Sequence, residues 1–155
     1  MPQAQALEQV RARIGEEIHV SDWLAVTQDR VDAFAQATGD HQWIHVDPER
    51  AARESPYKRT IAHGYLTLSL YPMLRGLVNE SAPPCAGVRN VINYGINKLR
   101  FPNAVKVGAR VRARSTLAAV EEIRGGLQVT ETYTVEIENE TQPACVAELI
   151  MRLYF

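Results

Sequence analysis

The chain has 155 residues, 46% apolar and 23% charged, with 17 Lys and Arg against 18 Asp and Glu for a net charge of −1. This is one domain's length with ordinary globular composition, so a disordered or collagen-like chain is excluded. The charge balance gives no bias toward nucleic acid or an anionic membrane surface.

One domain over 1–155 is expected, with residues 1–15 as a helical extension. Glu8, Arg11, Arg13, Glu16 and Glu17 leave no apolar signal core at the front. No apolar run is long enough to span a bilayer, so no membrane partner and a cytoplasmic location are expected. Cys85 and Cys145 are too few for a disulfide framework.

Val31, Phe34, Ala35 and Thr38 share one helix face. With Thr27 as N-cap and Gly39 as stop, they predict a helix over 28–38. Residues 39–46 have no helical period. Asp47-Pro48 reads as an N-cap followed by proline in the first turn, predicting a short helix over 48–54. Ser55 to Arg59 is a loop. Leu66, Leu70, Met73, Leu74 and Leu77 recur at helical spacing, and apolar residues on other faces mark this helix, over 64–77, as buried. Pro72 inside it predicts a kink or an early end.

Beyond Pro83-Pro84 the period changes to two. A strand is expected over 88–101, with a bulge at Gly95. Val111, Ala113, Ser115, Leu117 and Ala119 share a face; so do Leu127, Val129, Tyr133, Val135 and Ile137, and then Cys145, Ala147, Leu149, Met151, Leu153 and Phe155. Gly125-Gly126 and Asn139 to Pro143 are turn signals. The pattern predicts an α+β domain in which an antiparallel meander is covered by the helix at 64–77.

Asp40 and His45 stand on the irregular segment between two helices. A carboxylate and an imidazole over one cavity can position a water and move its proton. Taken alone, the pair reads more readily as a turn cap and a half-buried histidine. Gly64, at the start of the buried helix, offers a free N–H to a developing oxyanion and lets a ligand approach the backbone. Taken alone, it reads as a tight-packing glycine. Ser69 lacks a nucleophile-elbow sequence and reads as a core residue or a local hydrogen bond. Arg110, Arg112 and Arg114 alternate as a solvated strand face does, and the four histidines have no metal-ligand spacing.

Together, Gly39-Asp40-x-x-x-Ile44-His45-x-Asp47-Pro48, Ile61-Ala62-His63-Gly64 and Phe101-Pro102-x-x-Val105-x-x-Gly108 resemble the MaoC-like (R)-specific enoyl-CoA hydratase family. The resemblance covers about 20–155. Gln42-Trp43, where many relatives have Asn-Pro, is similar to the NodN-like branch. The resemblance implies a hot-dog fold, with a long helix wrapped by an antiparallel sheet. It also implies a homodimer and an acyl-CoA thioester substrate. Asp40 and His45 become the hydration dyad and the Gly64 amide the oxyanion donor. Ile61, Ala62, His63, Asn93 and Tyr94 become substrate-binding candidates, with Lys98 and Arg100 near the pocket mouth. No metal or separate cofactor is expected, since coenzyme A arrives with the substrate. A serine used by some relatives later in the buried helix corresponds to Pro72, so that role does not carry over. The expected reaction is reversible hydration of a trans-2-enoyl-CoA to an (R)-3-hydroxyacyl-CoA. The alternatives are a hot-dog thioesterase and a non-catalytic acyl-CoA-binding module.

Overall fold

The computed structural model describes residues 2–155. In chain order the elements are α1 (Pro2–Arg11), β1 (Glu17–Val20), β2 (Leu24–Ala25), α2 (Gln28–Thr38), α3 (Trp43–Val46), α4 (Pro48–Glu54), α5 (Gly64–Ser69), α6 (Tyr71–Arg75), β3 (Asn90–Arg100), β4 (Arg110–Ile123), β5 (Gly126–Ile137) and β6 (Cys145–Tyr154). None of the described helices is long and apolar enough to cross a membrane.

Local signals account for the helices at the front. The Thr27 side chain accepts from Arg30 N–H, and Gly39 closes α2 at φ 83°, a conformation costly for any residue with a Cβ. The Asp47 side chain accepts from Arg50 N–H and starts α4. Between them, the segment read as irregular contains a single helical turn, α3. Four residues are too few to show a period.

The sheet is antiparallel throughout, in the order β1-β4-β5-β6-β3, with β2 also on β4. Only β4-β5-β6 form a meander. The strand expected to lead it, β3, instead pairs with β6 at the far edge. Its register shifts between Asn93 and Gly95, where the bulge was expected. The β4–β5 turn is Arg124-Gly125, since Gly126 already pairs with Ile123.

The inward faces follow the alternation with two corrections. The β4 register shifts between Leu117 and Ala119. The extra residue flips the phase, so Val120 is buried in place of Ala119. On β5, strict alternation carries Glu131 inward, and it is 1% exposed.

The covering helix breaks at Leu70, where α5 ends and α6, with Pro72 in its first turn, begins. Proline has no N–H for the preceding turn. The inward side of α6 is shared by Tyr71, Leu74 and Arg75, which leaves Met73 outside at 42% exposed. Leu66, Leu70, Tyr71 and Leu74 pack on Val111, Ala113, Tyr133, Val135, Ala147 and Leu149. The other half of the same sheet face is covered by α1, through Ala6 and Leu7 against Leu117, Val120, Leu127, Val129, Met151 and Leu153. This is the hot-dog arrangement, and it brings the N-terminus of α5 against the α2–α3 connection.

Candidate active site

The two segments picked out by motif meet at that junction. Ile61 N–H donates to Ile44 O at 3.0 Å. Across the same contact, His45 Nδ1 donates to Ile61 O at 2.7 Å. A carbonyl can only accept, so in the neutral ring Nδ1 carries the hydrogen and Nε2 is bare. Gln28 supports the turn from behind. Its Nε2 donates to His45 O at 2.7 Å, and its Oε1 accepts from the buried Thr60 hydroxyl at 2.6 Å.

His45 is 7% exposed. Burial pushes its pKa below 6.5; the bond to Ile61 opposes this, His63 adds to it, and Asp40 opposes it. Asp40 is exposed. Its main-chain carbonyl accepts from His63 Nε2 at 3.0 Å, and the His63 ring stacks on His45 with centroids 3.9 Å apart. A carboxylate oxygen of Asp40 and one ring nitrogen from each histidine lie within 4.8 Å of one another. Two hydrogen bonds of about 2.8 Å meeting at a tetrahedral angle span about 4.6 Å, so groups within this bound are close enough for one water to join them.

The same three groups are donor types that a metal can also use, and each imidazole gives one ring nitrogen to a main-chain carbonyl.

His45, Ile61, Ala62 and Gly64 line one crevice of about 240 Å³, with Tyr57, Thr67 and Phe101. Gly64 is the first residue of α5, and a first-turn N–H has no partner within its helix. A Cβ on Gly64 would lie 2.8 Å from Phe101 Cδ2, so only glycine leaves this wall as it is. His63 sits behind the crevice, against Phe34 and His45. Asn93 and Tyr94 are not brought to this crevice. They line a second groove of about 380 Å³ with Leu68, Pro72 and Ile150. Arg152 stacks over Tyr94.

The remaining candidates resolve as structure. Ser69 Oγ donates to Tyr65 O at 2.6 Å. Arg110 pairs with Glu138, Arg112 with Glu136, and Arg114 with Glu136 and Glu17. Gln28, Thr60 and Phe101 were not singled out by sequence as site residues. Gln28 lies in no motif, and Thr60 was read only as the first residue of the segment that runs through Gly64 to Tyr65. Phe101 belongs to the third motif, which marked a strand and turn and not the crevice wall.

A family model described as a MaoC like domain matches residues 9–140. The chain belongs to the MaoC-like dehydratase family. It is 50% identical over 149 residues to 3-hydroxyacyl-thioester dehydratase Z of Mycobacterium tuberculosis, covering 96% of this chain and 95% of that protein. It is 46% identical over 153 residues to nodulation protein N of Rhizobium leguminosarum bv. viciae, covering 97% and 92%, in keeping with the NodN-like form of residues 39–45. Among solved structures, the (R)-hydratase of A. caviae involved in PHA biosynthesis superposes with a TM-score of 0.66 at 27% identity, covering 86% of this chain and 96% of that one.

Proposed function

We propose that this MaoC-like protein is an (R)-specific enoyl-CoA hydratase, and in reverse a 3-hydroxyacyl-CoA dehydratase. The observation that carries the reading is His45. Its Nδ1–H is tied to Ile61 O, its pKa is lowered, one of its ring nitrogens lies within 4.8 Å of an Asp40 carboxylate oxygen, and it lines one crevice with Gly64. A buried imidazole held neutral near pH 7 is a ready acceptor for a water proton.

The step follows from these positions. Asp40 and His45 hold one water between them. Its oxygen bonds to C3 of the enoyl thioester while the C2–C3 π pair moves toward the thioester carbonyl. The pair takes a proton from the water and returns one to C2 on the same face, which is syn addition. Two coupled groups share this transfer as a unit. The charge that develops on the thioester oxygen is met by the Gly64 N–H; one such donor is worth about 3 kcal/mol. The chemistry needs only water, the acid–base pair and the amide.

The same reading makes the protein a homodimer. β3 is an edge strand of 11 residues with Ile92, Tyr94 and Ile96 exposed. A long apolar edge calls for a second chain to cover it. A molar mass of one chain by light scattering would exclude this.

Crotonyl-CoA tests the chemistry. Hydration removes the enoyl absorbance without free thiol and yields the (R)-3-hydroxy product on chiral analysis. Thiol release would identify a thioesterase, and saturable binding with no turnover would identify a binding module.

A further inference from the structure

His45 is anchored by its Nδ1 bond to Ile61 O and by Gln28 on its carbonyl, but the Asp40 side chain has no bond as short. Asp40 follows Gly39 in an exposed loop. Its local bonds are long, with its N–H to Thr38 Oγ1 and its Oδ1 from Gln42 N–H both at 3.4 Å, at the outer limit for such bonds. The well-formed bond on this residue is the 3.0 Å bond from His63 Nε2 to its carbonyl.

The donor is itself firmly held. His63 is 3% exposed, stacks on His45 at 3.9 Å and is backed by Phe34 at 4.9 Å. Because Nε2–H goes to a carbonyl, Nδ1 of the neutral ring is a bare lone pair, and it is buried without a partner. A buried polar atom left unsatisfied calls for an explanation. Here the ring orientation that delivers Nε2–H to Asp40 and lays the ring flat on His45 is the one that strands Nδ1.

We propose that His63 is a positioning residue for hydration, fixing the Asp40 carboxylate and the His45 imidazole at one-water separation. This rests on the hydration reading above. The ring touches both members of the dyad, so it sets their separation without contacting the reacting carbons.

Three variants separate ring from donor. His63→Phe keeps the stack and loses the N–H. His63→Gln keeps an N–H near the position of Nε2 and loses the stack. His63→Ala loses both. With crotonyl-CoA, His63→Phe and His63→Ala each lose about 100-fold in kcat, the cost of misplacing a group by about 1 Å. KM stays close to that of the wild type, and His63→Gln recovers at least about tenfold over His63→Ala. Wild-type kcat in His63→Phe overturns the proposal. So does His63→Gln no better than His63→Ala, or a loss confined to KM, which would make His63 a substrate contact. If His63→Phe does not fold by circular dichroism, the Gln and Ala pair decides. Asp40→Asn in the same series separates the two levels. An inactive Asp40→Asn beside a normal His63→Phe sinks the positioning role alone, and an active Asp40→Asn sinks the hydration reading.

Discussion

The molecule buries ionisable groups at two places along its broken central helix, and the two are finished differently. Beside α6, Glu131 Oε2 accepts from the Tyr71 hydroxyl at 2.8 Å and Arg75 Nε at 3.0 Å, while Oε1 accepts from Arg75 Nη2 at 3.0 Å. Burial, and then the Glu131 charge, raises the Tyr71 pKa, so its hydroxyl keeps its hydrogen. Both carboxylate oxygens there are engaged within the protein. At the N-terminus of α5, His45 has only one ring nitrogen engaged and Asp40 is exposed. Cavity size points the other way, with about 480 Å³ beside Glu131 and about 240 Å³ beside His45. What sets the proposed site apart is the unused ring nitrogen of His45, and neither burial nor volume singles it out.

The contrast predicts opposite mutant behaviour. Asp40→Asn and His45→Gln should each lose about 10²- to 10⁴-fold in hydratase turnover, the usual worth of a positioned acid or base. The urea midpoint should stay near that of the wild type, since Asp40 is exposed and His45 keeps its main-chain anchors. Glu131→Ala should do the reverse. It strands Arg75, whose side chain is 14% exposed, and loss of a buried partner costs about 3–5 kcal/mol. Urea denaturation reads this loss, while kcat per folded molecule stays at the wild-type value. A Glu131 variant that is stable but inactive would erase the distinction between the two clusters.

Gly64→Ala sharpens the comparison at the crevice wall. The new methyl must displace the Phe101 ring, which lies 2.8 Å from it. That ring is partly exposed and can swing aside, so the fold survives. The Gly64 N–H and the wall no longer sit together, and turnover should fall about 100-fold. Steady-state kinetics beside a thermal melt check both halves of the statement.

How much of this was legible in the sequence depends on the range of each signal. Caps and period-two faces are local, so Thr27, Gly39, Asp47 and the alternating faces of β5 and β6 placed their elements. The break at Pro72 was equally local. The position of β3 was not, because pairing partners are set by the whole sheet. Single insertions also hide: nothing marks Ala118 as the residue that flips the end of β4. Glu131 was passed over because a carboxylate in an apolar alternation looks like an interruption. Its partners, Tyr71 and Arg75, lie 60 and 56 residues away. At the site, Asp40, His45 and Gly64 were readable as a set through motif spacing. The His63 contact to Asp40 spans 23 residues and leaves no spacing signature. Nor does Gln28, which holds His45 from the first residue of α2.

The smallest expected effect tests the electrostatics of the open cluster. The folded pKa of His45 lies below 6.5, chiefly through burial. As pH falls from 6.5 toward that lowered value, the unfolded chain takes up a proton that the folded one refuses. The stability contribution of His45 is therefore complete above pH 6.5 and lost as pH drops through the folded pKa. The acidic limb of kcat/KM falls in the same window, because only the neutral ring accepts a proton from water. Asp40 opposes the downward shift, so Asp40→Asn should lower the His45 value further. NMR titration of the His45 ring in the wild type and in Asp40→Asn reads this directly. An unchanged or raised value in the variant would mean that the carboxylate does not act on the imidazole, and the two could not share one water.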